Sequence, residues 1–328
     1  MRLRRRRVER RPQRQRRLAR PVISVGNLSM GGTGKTPVVA AIAEYLIDAG
    51  ERPAILSRGY ARSTAADGVV VVSDGSNVRA PIEQSGDEPL MLARQVPRAA
   101  VCVSPDRYLA GTLAERQLGS TVHILDDGFQ HIELARDLDV LVTTIGEIPH
   151  GRVIPMGRLR EPIDAASRAH VLVVSDATAG AAAAEAWTLG IQQSCGAARS
   201  LAAPVALVPR ASCLVPGVPV PRASCLVPGL AVSGIAHPDR FVAMLRDAEW
   251  NVVDSMAFAD HHRYTHHDLE AISAKLKASS AEVVFTTDKD AVRLESFSAL
   301  PFPAYRVPLV VAFEPPDVLF ASVRAVLK

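Results

Sequence analysis

Three glycines and a lysine stand together in NLSMGGTGKTPVV, residues 27–39, just ahead of a run of small apolar side chains. Gly31, Gly32 and Gly34 leave room for backbone N–H groups to converge on an anion, and a helix starting at Thr36-Pro37 would add the partial positive charge of its N-terminus. In such a cradle, with Thr33 part of the same loop, Lys35 would reach the β- and γ-phosphates of a nucleotide and the Thr36 hydroxyl would meet Mg²⁺. The strict spacing asks for glycine at position 29, where Ser29 stands.

Phosphate chemistry needs more than a loop. HILDDGFQH ends on the paired carboxylates Asp126 and Asp127, the residue type expected to orient a magnesium ion at the carboxyl end of a neighbouring strand. Two adjacent carboxylates repel, so a nearby cation would stabilise both. SGDEPLMLARQ puts Asp87 and Glu88 at a helix start, where one can cap free N–H groups and the other remain chemical. FADHHRYTHHDL holds four of the nine histidines. Of these, Asp260-His261 reads as a carboxylate-oriented imidazole, while His266 and His267 fall on the surface of a helix start. The cluster fits no common zinc spacing.

These residues must be positioned by a scaffold. PVISVGN, PAILS, AAVCVS, TVHILDD and DLDVLVTT read as strands separated by helices near 36–49, 88–95 and 107–117, which implies right-handed βαβ units and a mostly parallel sheet. AHVLVVSD and the helical ATAGAAAAEAW follow. The expected organisation is an Arg-rich leader at 1–20, a phosphate-loop domain at 21–202, a Pro/Gly-rich linker at 203–229 and a smaller α/β domain at 230–328. VPRASCLVPG occurs twice in the linker, from Val208 and from Val220. Two copies are too few for a solenoid, so this reads as a tandem duplication where added length costs little entropy.

Composition narrows the partners. The 328 residues carry a formal charge of +4, yet eleven arginines and one glutamate fall in residues 1–20, leaving 27 basic against 33 acidic residues elsewhere. With 5% aromatic content and no basic stripe interleaved with rings, a nucleic-acid partner is not expected. Cys102, Cys195, Cys213 and Cys225 form no CxxC pair and read as free thiols in a reducing compartment. No apolar run is long enough to span a bilayer, so any membrane contact is peripheral. The leader reads either as an arm that adsorbs to anionic headgroups or as a solvated disordered tail.

SVGNLSMGGTGKTP, LSRGY, GDEPLMLA, LDDGFQH, MGRLREP, DHHRY and TTDKDAVRL, taken in order, resemble the signature segments of the tetraacyldisaccharide 4′-kinases, the lipid A 4′-kinases of Gram-negative bacteria. The resemblance runs from about residue 21 to the C-terminus. It implies a P-loop NTPase-like α/β/α fold with a smaller C-terminal α/β domain and an active site in the cleft between them. The implied reaction is ATP- and Mg²⁺-dependent phosphorylation of the 4′-hydroxyl of an acylated disaccharide 1-phosphate, giving lipid IVA, by a peripheral protein at the cytoplasmic face of the inner membrane. It further implies that Asp87 pairs with His261, or with His262 in the alternative register, to activate the sugar hydroxyl. Arg58, Gly59, Tyr60, Arg160 and Glu161 are implied to line the substrate site. The family's apolar N-terminal helix has no counterpart in the leader, which makes electrostatic adsorption the expectation there. Two other readings remain open: a membrane-associated P-loop ATPase switch, and a kinase for a soluble metabolite.

Overall fold

A computed structural model describes residues 15–59, 68–148, 151–207 and 227–327. The chain divides into two compact units, one of residues 1–199 and 311–328, the other of residues 200–310.

The strands of unit 1 are β1 (Val22–Gly26), β2 (Pro53–Ser57), β3 (Val70–Asp74), β4 (Ala100–Val103), β5 (Val122–Asp126), β6 (Leu138–Thr144), β7 (Val171–Ser175) and β8 (Gln193–Leu201). Its first helices are α1 (Lys35–Asp48), α2 (Asp87–Gln95), α3 (Arg107–Gln117) and α4 (Ala179–Thr188), with a helical turn at Ile82–Ser85 and a 3₁₀ turn at Ile163–Arg168. Together with β14 (Leu309–Glu314), the eight strands form one nine-stranded sheet in the order β14-β8-β7-β6-β1-β5-β2-β4-β3. Pairings from β4 through to β8 are parallel, and β3 joins β4 antiparallel. β1, β2, β4, β5 and β7 are buried along their whole length, which is why they read as unbroken apolar runs rather than alternating ones. The register sets Val25 of β1 beside Asp126 of β5, so the phosphate loop and the acidic pair leave the same sheet edge on adjacent strands.

In unit 2, β10 (Gly229–Ser233), β11 (Val252–Ala257), β12 (Val283–Thr287) and β13 (Ala304–Val307) make a parallel sheet, to which β9 (Val205–Ala206) adds antiparallel. Helices α5 (Pro238–Asp247), α6 (His266–Ala278) and α7 (Asp288–Leu294) accompany it. Thr265 and Asp268 form a capping box at the start of α6.

Three expectations change. Residues 311–328 return to unit 1 instead of ending the second domain: β14 enters the nine-stranded sheet, and α8 (Pro316–Ala325) stacks Phe320 on Tyr45 with ring centroids 4.4 Å apart. Both ends of the supposed linker are strand, at β9 and at Gly229, while residues 208–226, with Cys213 and Cys225, lie outside the described residues. The leader is not loose up to residue 20. Leu18 is buried against Gly111, Arg16 donates to both carboxylate oxygens of Asp106 at 2.8 and 2.7 Å and lies over the Tyr108 ring, and Arg17 pairs with Asp137 at 2.9 Å. Residues 1–14 lie outside the described residues. Among the described residues, no helix is long and apolar enough to cross a membrane.

Candidate active site

The loop after β1 is held from below. Asn27 donates from Nδ2 to the Thr33 hydroxyl at 3.1 Å, and Ser175 at the end of β7 donates to the Thr33 carbonyl at 2.7 Å. Thr33 is thereby turned inward and buried. Gly34 caps α1 with φ 86°, where a Cβ would also sit 3.0 Å from Ser175 Oγ, so only glycine is free of strain there. Among the described residues no side chain caps this helix start, which leaves its first N–H groups aimed where an anion belongs. Gly31 faces Arg158, whose guanidinium donates to the Met30 carbonyl at 3.1 and 2.7 Å, whereas a Cβ on Gly32 would meet nothing within 4 Å.

Lys35 and Thr36 occupy the first turn of α1. Lys35 Nζ lies 3.4 Å from Asp127 Oδ1, and Arg160 Nη1 lies 2.7 Å from Asp127 Oδ2 and 3.2 Å from Gln130 Oε1. Asp127 itself adopts a left-handed backbone with φ 52°, strain of the kind that persists where surrounding contacts fix it. Burial works against its ionised form, but Lys35 and Arg160 outweigh that and hold its carboxyl below the usual range.

Its neighbour behaves oppositely. Asp126 is buried, accepts from Ser57 Oγ at 3.2 Å, and is pushed up to about 7 by burial and then by the charges of Glu88 and Asp127. Lys35 only partly offsets this. The oxygen donors of Asp126, Asp127, Glu88 and Thr36 suit a hard divalent cation, which would relieve the repulsion. Among the described residues, no three His, Cys, Asp or Glu side chains form a ready-made metal cage. Mg²⁺ keeps several waters and is bound by one or two carboxylates plus substrate phosphates.

A cation needs Asp126 deprotonated, so protons compete below about pH 7 and cease to above it. Mg²⁺ affinity in the presence of ATP is therefore expected to fall about tenfold for each pH unit below 7, and Asp126→Asn should flatten that dependence in a calorimetric titration. Without metal the linkage runs the other way. Between the unfolded value near 3.8 and the folded value near 7 the folded state holds a proton the unfolded chain has released, so stability declines as pH rises through that window.

One further group was not legible in the sequence, and a second, Glu88, was legible there only as one of two carboxylates at a helix start. Arg107 begins α3 behind the Asp106 cap and is buried with its charge near Asp126, Arg58 and Asp127; among the described residues its Nε has no hydrogen-bond partner. Glu88, on the first turn of α2, is the carboxylate that bears on Asp126, while Asp87 before it is buried at the helix start. The only local signal for Arg107 was its position directly after a helix-capping aspartate. Arg58 is exposed at the end of β2, and Gly59 has φ 72°. Tyr60 lies outside the described residues. Glu161, expected to line the substrate site, is instead buried against Arg168 at 3.1 Å.

In unit 2, His261 also adopts a left-handed backbone, φ 60°. Its expected carboxylate orientation is indirect: Asp260 Oδ1 is 3.9 Å away, and Lys289 Nζ sits between them, 2.8 Å from Asp260 and 3.1 Å from His261 Nε2. Arg293 Nη2 lies 3.3 Å from Nδ1 and is itself paired with the fully buried Asp290. Lys and Arg carry only donors and a neutral imidazole has a single acceptor nitrogen, so the ring accepts from one of these two cations at a time while its other nitrogen carries the proton. His262 is taken up by Asp268 at 3.1 Å and by stacking on Phe258. His266 and His267 open α6 on its exposed side, as expected.

The model of the tetraacyldisaccharide-1-P 4′-kinase family matches residues 1–328. A tetraacyldisaccharide 4′-kinase of Geobacter sulfurreducens is 38% identical over 313 residues, covering 95% of this chain and 85% of the relative. One from Pelobacter propionicus is 42% identical over 281 residues, covering 85% of this chain and 75% of its own. Among solved structures, LpxK from Aquifex aeolicus in complex with ATP superposes with a TM-score of 0.78 at 29% identity, over 99% of this chain and 94% of that one.

Proposed function

Because the chain belongs to the tetraacyldisaccharide-1-P 4′-kinase family, we propose that its phosphate loop, Lys35, Asp126 and Asp127 carry the transfer, and that Asp87 and His261 serve the acceptor hydroxyl. The protein is an ATP-dependent kinase of lipid A biosynthesis that phosphorylates the 4′-hydroxyl of a lipid disaccharide. The observation that carries the site assignment is the convergence of Lys35 and Arg160 on Asp127 beside a helix start left open for an anion.

Phosphoryl transfer asks a protein mainly for positioning and for cations against spreading negative charge. Backbone N–H groups of residues 31–36 hold the phosphate chain, and Lys35 moves between Asp127 and the γ-phosphate oxygens. Asp126, Asp127 and Thr36 are the residues that would hold Mg²⁺, whose charge neutralises phosphate oxygens when bound. Arg107, buried beside this cluster, adds positive charge to the same region. An alcohol nucleophile must lose its proton to a base within hydrogen-bond reach, and in this reading Asp87 and His261 fill that role. His262 bonds Asp268 of the α6 capping box, and His261 is the residue to which the family resemblance assigns the role. Arg58, Gly59, Tyr60 and Arg160 complete the substrate side. The product is lipid IVA, and the protein works at the cytoplasmic face of the inner membrane as a peripheral enzyme.

The deciding experiment follows labelled γ-phosphate from ATP into an acylated glucosamine disaccharide 1-phosphate, into water-soluble sugars and into free phosphate. Transfer to the acylated disaccharide alone is expected. Equal transfer to soluble sugars would make this a metabolite kinase, and release to water alone an ATPase switch.

A further inference from the structure

Residues 152–159 fold into a tight turn against the chain entering the phosphate loop. Ile154 N donates to Leu159 O at 3.0 Å, Leu159 N to Arg152 O at 2.9 Å, and Met156 N to Val153 O at 3.0 Å. Its base is tied to residues 28–30: Met30 N donates to Arg158 O at 2.8 Å, Arg160 N donates to Leu28 O, and Ser29 bridges Leu159. Leu159 is buried in the same core cluster as Leu28. The tip is the reverse. Val153 and Ile154 are exposed, Met156 is 76% exposed, and Met30 beside them is 54% exposed. Three of the eleven large apolar side chains that the described residues expose therefore gather on this one turn, with Met30 on the loop to which its base is tied. Single exposed apolar residues need no explanation, but a cluster on a tip fixed at its base marks a contact surface. Arg152 and Arg158 flank the tip, both exposed, and residues 151–160 contain no acid.

We propose that this turn is a lipid-docking tip: Val153, Ile154 and Met156 enter the acyl region of an anionic lipid surface while Arg152 meets its headgroups. Apolar insertion supplies the attachment and the arginine selects negative lipid, the combination by which peripheral proteins bind membranes reversibly. The inference deepens the kinase reading by naming the surface at which the lipid substrate is met. The turn's base carries Arg158, bonded to the loop carbonyl at Met30, and Arg160, bonded to Asp127, so docking would present the phosphate site to the lipid from which the acceptor comes.

The test is co-sedimentation of the full chain with unilamellar vesicles, either phosphatidylglycerol mixed with phosphatidylethanolamine or phosphatidylcholine alone. Val153→Ser/Ile154→Ser/Met156→Ser is expected to reduce partitioning onto the anionic vesicles about tenfold or more, with melting temperature and ATP affinity unchanged because these side chains are exposed. Arg152→Gln should weaken binding to anionic vesicles alone, and less so in high salt. Vesicle binding requires no turnover, so the result stands apart from the kinase assay. Wild-type protein that ignores anionic vesicles, or a triple variant that binds like wild type, overturns the proposal. Unchanged vesicle binding with a raised KM for detergent-dispersed substrate would assign the tip to the acyl chains of a single substrate molecule, and loss of self-association in sedimentation would assign it to a second copy; either overturns it too.

Discussion

Lys35→Met is expected to reduce phosphoryl transfer about a thousandfold or more, since a preorganised cation at the transferring phosphate commonly supplies that much. The fold should survive, because Asp127 keeps Arg160 at 2.7 Å when its contact to Lys35 at 3.4 Å is lost. Steady-state kinetics with a melting curve on the same preparation separate these effects. If only the KM for ATP rises while kcat holds, Lys35 binds ground and transition states alike and the assignment of transition-state stabilisation fails. A milder loss is expected for Lys35→Arg, which keeps the charge but carries a planar fork where a compact ammonium fits.

Asp87→Ala and His261→Ala should each reduce kcat by about 10²- to 10⁴-fold, the range of general acid–base contributions. If the two act as one proton-accepting unit, the double variant will be no slower than the worse single variant. Multiplicative losses would show that they act separately and would remove the paired role. Lys289→Gln supplies a contrast, since it removes the cation at Nε2 and the tie to Asp260 but leaves Arg293 at Nδ1. It should shift the pH profile of kcat more than its maximum, as expected of a residue that holds the ring and does not touch the acceptor.

Parallel strands covered on both faces were readable as apolar runs, and the phosphate loop and DD pair were readable because their chemistry is local in sequence. The edge strand β3 went unassigned although residues 69–72 are themselves a continuous valine run; only the short helical segments at 82–95 lie between it and β4, unlike the βαβ pattern used for the others, and its end residues are only half-buried. Where a strand alternates with a helix, the alternation does not say which sheet receives it, and so residues 311–328 were assigned to the wrong unit. Arg107 and Arg158 escaped because each acts through a neighbour distant in sequence, Asp126 and the Met30 carbonyl, and Glu88 was seen at its helix start without its bearing on Asp126 for the same reason. The same holds for Lys289, which occupies the space that the Asp260-His261 dipeptide suggested was a direct bond.

The clamp formed by Arg16, Arg17 and Leu18 limits how the basic leader can be removed. A deletion ending at residue 20 would excise a core leucine and unpin the aspartate that starts the helix bearing Arg107. Weakened attachment or slowed catalysis in such a truncation would then report damage to the nucleotide-binding unit, and only a cut at or before residue 14 can isolate the contribution of the arginine-rich arm.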